Sequence, residues 1–223
     1  MNLATSFDLD GDHATYEVRT NVALYQDRLV HLGFAPAGTG RFVRRPSASG
    51  DVRRTHANFA RHLEEMLLQS ASHRPVPWED ALEIFLTRVE ESRLSWFLYG
   101  SGALAVRRID VGPGDLDFSV DDAHLAGELF EDLLVEPVTE FTGWVADRGG
   151  RAFAGCVVEW IAGVHDTDEP HEQSPTARLD HVHWRGHDVP IAPLDLQLAV
   201  SRRRGLTDRA SKILAAGYPG AVE

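Results

Sequence analysis

The sequence predicts an α/β (α+β) protein in which a mixed β-sheet is flanked by helices and preceded by a small, mainly helical N-terminal region. Short apolar runs alternate with helix-like segments from Pro77 onward, which is the order of an α/β core. The stretch SASHRPVP at 70–77 contains two prolines that interrupt regular structure. Hydrophobic residues make up 43% of the chain and charged residues 25%, as in ordinary globular proteins. We therefore expect an accessory region at 1–72 and a main domain at 76–223.

Two helices and one strand are predicted in the N-terminal region. Residues 14–32 carry apolar side chains at helical spacing, and residues 54–69 form a more regular amphipathic helix. The segment GRFVRRP at 40–46 is typical of a short strand ended by proline. In the second helix the core-facing residues are Phe59, Leu63, Met66 and Leu67.

Helices and strands alternate through the first half of the main domain. The helix that begins at Pro77 has acidic residues in its first turn, where the helix dipole favours them. Aspartates are suited to cap the helix that follows the second strand. In order, the predicted elements are helix 77–92, strand 96–99, helix 101–108, turn 110–114, strand 115–120 and a helix from Asp121–Asp122 to about Leu134.

Two hairpins and a long helix are predicted in the second half. The first hairpin is expected to turn near 148–150, before the apolar run RAFAGCVVEWIAGV, and the second around Arg185-Gly186. The last helix covers 193–217 and is expected to bend or break at Gly205.

Composition narrows the possible functions. The formal net charge of −12 disfavours general binding to nucleic acid, and no apolar stretch is long enough to span a membrane. The first residues lack the basic start and apolar core of a signal peptide, and the single cysteine, Cys156, is compatible with a reducing compartment. We expect a cytoplasmic protein in which Cys156 is buried and structural.

Two short motifs carry the predicted chemistry. Asp115 and Asp117 are separated by one residue in a strand, so their carboxylates leave the same face of the sheet. Such a pair repels unless a cation such as Mg²⁺ neutralises it. Gly100-Ser101 ends an apolar strand and opens a helix, where backbone N–H groups are available to a phosphate. The plainer alternatives are a tight turn with Ser101 as a helix cap and a solvated strand position for the aspartates.

These motifs resemble a known signature. The chain is similar here to the pattern of the DNA polymerase β-like nucleotidyltransferase superfamily. It has Gly100-Ser101, then a short helix and a loop, and then Asp115-Leu116-Asp117-Phe118. The likeness covers about residues 78–215, and within the superfamily it is greatest to the small stand-alone antibiotic (aminoglycoside, lincosamide) and toxin-type enzymes. Residues 1–72 lie outside it, and their role is not predicted.

The resemblance implies both a reaction and a set of residues. The reaction is Mg²⁺-dependent transfer of a nucleoside monophosphate from a nucleoside triphosphate to a hydroxyl group, with release of pyrophosphate. A third carboxylate is expected, and Glu159 on the apolar strand suits this position better than Asp147, which is predicted in a turn. The implied sites are Asp115, Asp117 and Glu159 for catalysis and two Mg²⁺ ions, and Gly100, Ser101 and Lys212 for the triphosphate.

The acceptor is the open question. A small hydroxylated molecule is expected, while a toxin-type enzyme acting on RNA or protein and a catalytically silent nucleotide-binding module remain alternatives. The observation that keeps RNA open is an arginine-rich stretch opposed only by Asp51, which is otherwise a solvated surface or a segment near the cleft. Its members are Arg41, Arg44, Arg45, Arg53, Arg54 and Arg61.

Overall fold

Two β-sheets organise the chain, and the larger one carries most of the predicted site. The computed structural model describes residues 3–11, 13–47, 50–141, 145–165, 171–174 and 178–217. Over these residues the chain has a mixed α/β fold, as predicted. None of the helices formed by these residues is both long and apolar enough to cross a bilayer.

The N-terminal region builds a small antiparallel sheet and two helices. Its strands and helices are β1 (Ala4–Asp10), β2 (His13–Arg19), α1 (Ala23–His31), β3 (Ala35–Pro36), β4 (Arg41–Arg44) and α2 (Val52–Ser70). The strand order is β1-β2-β4-β3. Asp51 caps α2 by accepting a hydrogen bond from the backbone N–H of Arg54, at 3.0 Å.

The structure corrects the start of the first helix predicted in the N-terminal region. The helix expected over 14–32 begins only at Ala23, and the residues before it form β2. Ala14, Tyr16 and Val18 are buried while their neighbours are more exposed, which is the period of two residues that defines a strand. The helix prediction was wrong here because the side chains of β2 alternate between the core and the surface, so that one face of the strand is buried. The strand at β4 and the helix α2 were predicted correctly.

The main sheet has seven strands and is flanked by five helices among the residues that the structure describes. These elements are α3 (Trp78–Val89), β5 (Trp96–Tyr99), α4 (Gly100–Val106), β6 (Leu116–Val120), α5 (Ala123–Leu129), β7 (Leu134–Glu140), β8 (Ala146–Phe153), β9 (Val157–Val164), β10 (Asp180–Trp184), β11 (His187–Ile191), α6 (Leu194–Arg203) and α7 (Thr207–Ala215). The strand order is β10-β11-β5-β6-β9-β8-β7. The sheet is mixed because β11 pairs with β5, and β6 with β9, in parallel, while the other pairs are antiparallel.

Two details of the main sheet differ from the prediction. The helix expected to reach Leu134 ends at Leu129, and after a turn at 130–133 the strand β7 begins at Leu134. The expected turn near 148–150 is instead the middle of β8, and the chain turns between β8 and β9. A Cβ atom on Gly150 would lie 2.5 Å from the Trp160 ring. Glycine is therefore required in this strand by the close approach of an aromatic side chain and not by a turn.

The N-terminal region packs on the main sheet through one shared apolar cluster. The cluster joins Phe59, Leu63 and Met66 of α2 to Val135 of β7 and to the end of β8. The side-chain amide of Asn58 also donates hydrogen bonds to the backbone carbonyls of Asp132 and Leu134, at 2.9 and 3.1 Å. This contact brings β4 close to the edge of the sheet that ends in β7.

Candidate active site

One row of side chains crosses the main sheet and organises the site. In register, Tyr99 of β5 faces Asp117 of β6, Asp117 faces Glu159 of β9, Glu159 faces Arg151 of β8, and Arg151 faces Glu136 of β7. Residues directly opposite each other in a sheet project to the same face. The row therefore places two predicted site carboxylates side by side on one face, with an arginine and a second glutamate beyond them.

Asp115 and Asp117 form the acidic centre of this face. Asp115 precedes β6 by one residue and, by strand period, shares the face of Asp117. Burial raises the pKa of Asp115 to about 6, and the charge of Glu159 adds to the shift. Burial also raises the pKa of Asp117 well above its usual range, with further contributions from Asp115 and Glu159. Their negative charges therefore repel one another, as the sequence predicted for a cation-binding pair.

The Gly100 turn lies directly against this pair. Gly100 has a φ of +66°, and a Cβ atom at this position would lie 2.7 Å from the Asp117 Oδ2 atom. Only glycine allows both the left-handed backbone and this approach. Ser101 is buried in the first turn of α4, whose N-cap is Tyr99 and which has no side-chain cap. The alternative in which Ser101 caps the helix is therefore wrong.

Glu159 is held by a chain of buried charges that the sequence did not predict. The Nε and Nη2 atoms of Arg151 donate to Oε1 of Glu159 at 2.6 and 2.5 Å, and Nη1 of Arg151 lies 3.3 Å from Oε2 of Glu136. Glu136 also pairs with Arg44 of β4. The N-terminal region thus reaches the site through Arg44. Burial alone would lower the pKa of Arg151, but Glu159 and Glu136 outweigh it and raise the pKa above its ordinary value.

The C-terminal helices bring a cation near the aspartate pair. Gly205, with a φ of +68°, ends α6 as predicted, and backbone hydrogen bonds from Gly205 to Arg202 and from Leu206 to Ser201 close the turn. Helix α7 then packs against α4. The positive charge of Arg209 partly offsets the rise in the pKa of Asp115 and of Asp117. Arg209 is thus the cation of α7 that acts on the acidic pair.

Lys212, which was predicted to bind the triphosphate, lies on α7 in an ion pair with Asp208, at 3.0 Å. Asp208 is exposed and Lys212 is half-buried, and the hydrogen bond to Asp208 raises the pKa of the lysine. Its role with the triphosphate stays a prediction. Arg209 is only three positions away, and the spacing alone does not tell which of the two faces the sheet.

Two further residues of the site were missed. The Glu172 carboxylate is buried and accepts a hydrogen bond from the Gly100 N–H group, and the Gln197 side chain of α6 contacts both Gly100 and Glu172. Glu172 stands outside any regular element, so no periodic pattern could have indicated it. Gln197 is a polar residue on the buried side of α6. A polar residue at a core-facing helix position is unusual, and this could have indicated that Gln197 has a role in the site.

The competing candidates lie elsewhere. Asp147, the rival of Glu159, is on β8 and is 2.8 Å from His165 in an exposed ion pair. Cys156 is fully buried, as predicted, and burial raises the pKa of its thiol to about 12. Several members of the arginine-rich stretch have partners within the protein: Arg41 with Glu17, Arg44 with Glu136, Arg54 with Glu131 and Arg53 with the Phe7 ring.

The donor atoms fit a hard divalent cation at the aspartate pair. Asp115 and Asp117 offer only carboxylate oxygens and share one face, which is the chemistry that Mg²⁺ prefers. Glu159 is engaged by Arg151, and in the described part of the chain no group of three or more histidine, cysteine, aspartate or glutamate side chains has the geometry of a metal site. That Asp115, Asp117 and Glu159 bind Mg²⁺ therefore stays a prediction.

Comparison with known proteins adds one distant similarity. No protein-family model and no curated protein matches the chain. Among solved structures, a "putative nucleotidyltransferase" from Thermotoga maritima is similar, with a TM-score of 0.48 and 17% sequence identity over 62% of this chain and 91% of that one. The assignment of the site therefore rests on the residues of this chain.

Proposed function

We propose that this protein is a Mg²⁺-dependent nucleotidyltransferase that moves a nucleoside monophosphate from a nucleoside triphosphate to a hydroxyl group of a small acceptor. One observation carries the proposal. The Asp115–Asp117 pair lies on the sheet face that meets the Gly100-Ser101 turn, and Asp117 is close enough to Gly100 to exclude any side chain there. A carboxylate pair next to a glycine turn that opens a helix suits chemistry on a polyphosphate.

Each residue has a proposed part in the reaction. Asp115 and Asp117 would hold Mg²⁺, which when bound supplies neutralisation of phosphate charge. Gly100 and Ser101 would orient the polyphosphate, and Arg209 would add a positive charge near Asp115 and Asp117. Glu159 presents a carboxylate whose Oε1 is fixed by Arg151, so Oε2 is the oxygen that accepts the proton of the acceptor hydroxyl.

The alternatives differ in what the structure offers them. A nucleotide-binding module without turnover would use the same aspartates and glycine turn, with Glu159 serving only as the partner of Arg151. A toxin-type enzyme acting on RNA was suggested by the arginine-rich stretch. Arg44 lies within the charge network and Arg41 pairs with Glu17, so these two arginines are engaged inside the protein. A small acceptor is therefore preferred.

Turnover and binding together test the proposal. Pyrophosphate release would be measured with each nucleoside triphosphate, Mg²⁺ and a panel of aminoglycosides, lincosamides and total RNA, with and without EDTA. Asp117→Asn should reduce Mg²⁺-dependent release at least 100-fold, about 2.7 kcal/mol of barrier. Its melting temperature in EDTA should not fall, because the substitution removes a repelling charge.

A second variant separates the enzyme from the silent module. Glu159→Gln should keep calorimetric binding of a non-hydrolysable triphosphate while losing pyrophosphate release. Triphosphate binding by the wild-type protein without release, on every acceptor tested, would support the silent module instead. Wild-type protein that binds no triphosphate with Mg²⁺ would overturn both.

A further inference from the structure

An open cavity lies away from the acidic face, at the far end of helix α4. It has a volume of about 630 Å³ and is bounded by the end of α4, the β10–β11 hairpin, the start of α3, the start of α6 and the end of α7. Because α4 has seven residues, its length separates this cavity from the Gly100 turn by about 10 Å. A cavity of this size can hold a small organic molecule.

Positive charge is concentrated in this cavity although the chain as a whole is acidic. Arg107, Arg108 and Arg185 line it together with a single carboxylate, that of Glu79, whereas the formal net charge of the chain is −12. Asp180 holds Arg107 in place through a hydrogen bond of 2.7 Å. Arg108 forms no ion pair with any residue that the structure describes, so its charge is available to a ligand. The cavity is therefore suited to an anion.

Two of these arginines occupy backbone positions that ordinarily take other residues. Among the described non-glycine residues only three have a positive φ: Ser72, Arg108 at +65° and Arg185 at +48°. Arg108 follows the end of α4 and donates its N–H to the Ala105 carbonyl, in a helix ending that usually has glycine at this position. Arg185 precedes Gly186 in a two-residue hairpin turn, where asparagine or glycine is usual. Both strained arginines border one cavity, which indicates that their guanidinium groups serve it.

Two tryptophan rings supply flat apolar surface to the same cavity. Trp78 begins α3 and Trp184 ends β10, and their ring centroids are 6.3 Å apart at an interplanar angle of 36°. The guanidinium of Arg185 lies 4.7 Å from the centroid of the Trp184 ring. Aromatic faces bind planar rings by stacking, and arginine binds phosphate through paired donors. The combination suits a planar ring that carries a phosphate.

We propose that this cavity is a second ligand site, which binds a nucleoside monophosphate with its base on the tryptophan rings and its phosphate on the arginines. Glu79 pairs with Arg185 and is the one carboxylate of the lining, so it weakens the attraction for phosphate. None of the lining residues belongs to the acidic face. The site therefore requires neither Mg²⁺ nor the Asp115–Asp117 pair, and it is independent of the proposed function.

Calorimetry on the full chain in EDTA tests this site in the absence of the proposed reaction. The probes are the four ribonucleoside monophosphates, the four nucleosides and inorganic phosphate. At least one monophosphate should bind about tenfold more tightly than its nucleoside and than inorganic phosphate, a difference of about 1.4 kcal/mol. Equal affinity for the nucleoside would overturn the phosphate contact, and equal affinity for inorganic phosphate would overturn the stacking.

Two substitutions with opposite expected signs locate the bound monophosphate. Arg108→Gly should weaken binding about tenfold, and its melting temperature should not fall, because glycine suits the left-handed position. Glu79→Gln should tighten binding about threefold, because it removes an exposed charge that opposes phosphate. The controls are Arg45→Gly and Glu91→Gln, which make the same charge changes at exposed positions outside the cavity.

The outcomes separate this site from the acidic face. A weaker Arg108→Gly variant and a tighter Glu79→Gln variant, with both controls like wild type, would support the cavity. Should Arg108→Gly melt early, the sign of the shift in Glu79→Gln decides. Affinity of Arg108→Gly equal to that of Arg45→Gly would overturn the proposal, as would the failure of every monophosphate to bind the wild-type protein. Binding that is lost in Asp117→Asn would place the monophosphate at the acidic face instead. Mg²⁺-dependent pyrophosphate release tests the proposed function separately.

Discussion

Arg151 is the residue whose removal should most disturb the site and the fold together. It joins β8 to Glu159 of the acidic face and to Glu136, which in turn pairs with Arg44 of the N-terminal region. Arg151→Met keeps most of the volume of the side chain and deletes its charge. We expect Glu136 and Glu159 to be left as neighbouring, poorly solvated anions, opposed among the described residues mainly by Arg44.

The size of the effect follows from burial. The side chain of Arg151 is 15% exposed and those of Glu136 and Glu159 are 10% and 31% exposed, so water screens these charges poorly. Removing one partner of a buried ion pair typically costs about 3–5 kcal/mol. The same strand offers a matched control, because Arg148 pairs with Glu140 at 3.4 Å while the two side chains are 47% and 78% exposed. Arg148→Met should cost about 0–1 kcal/mol.

Urea unfolding at neutral pH would measure both free energies. The double variant Arg151→Met/Glu159→Gln should recover at least about 1 kcal/mol of the loss, since it no longer buries an unpaired anion at β9. Arg151→Lys should fall between wild type and Arg151→Met, because lysine keeps the charge but not the paired donors. A loss for Arg151→Met no larger than that for Arg148→Met would refute the assignment of a buried charge network.

Two further predictions concern the Gly100 turn and the cysteine. Gly100→Ala should lower the free energy of unfolding by about 1–2 kcal/mol because of its left-handed backbone alone, and by more because the new Cβ atom would contact Asp117. In the same urea assay, Gly112→Ala should lie within about 0.5 kcal/mol of wild type, because a Cβ atom there meets nothing within 4 Å. Cys156 should not react with a maleimide at pH 8 in the folded protein, because burial raises its pKa to about 12, and it should react fully in 8 M urea; rapid labelling of native protein would contradict the buried assignment.

Local pattern was sufficient to predict the centre of the fold and part of the site. The apolar strand at β5, the short helix α4 and the strand β6 were found because each has a strong periodicity or a clear glycine boundary. Asp115 and Asp117 could be placed on one face from strand period alone. The break at Gly205 and the hairpin of β10 and β11 were likewise marked by glycine.

The predictions from sequence were wrong where one local pattern is compatible with two kinds of secondary structure. Gly149-Gly150 is typical of a turn, but inside β8 the Phe141 ring and the Trp160 carbonyl lie close to Gly149 and the Trp160 ring lies close to Gly150, so both positions require glycine. Residues 13–19 fit a helix loosely, whereas the antiparallel pairing of β2 with β1 and β4 selects the strand. Both outcomes depend on partners that are distant in the chain, and a window of local sequence does not contain them.

What the sequence determined by itself was the local arrangement at the centre of the fold: a carboxylate pair on one strand face, a glycine turn before a helix, and an α/β framework to hold them. Only the tertiary structure decided which other charges meet that pair. Arg151 and Glu159 are brought together by the register of β8 with β9, Arg209 by the turn at Gly205, and Glu172 by a segment without regular structure. Electrostatic energy depends on distance through space and on burial, and neither can be calculated from the spacing of residues along the chain.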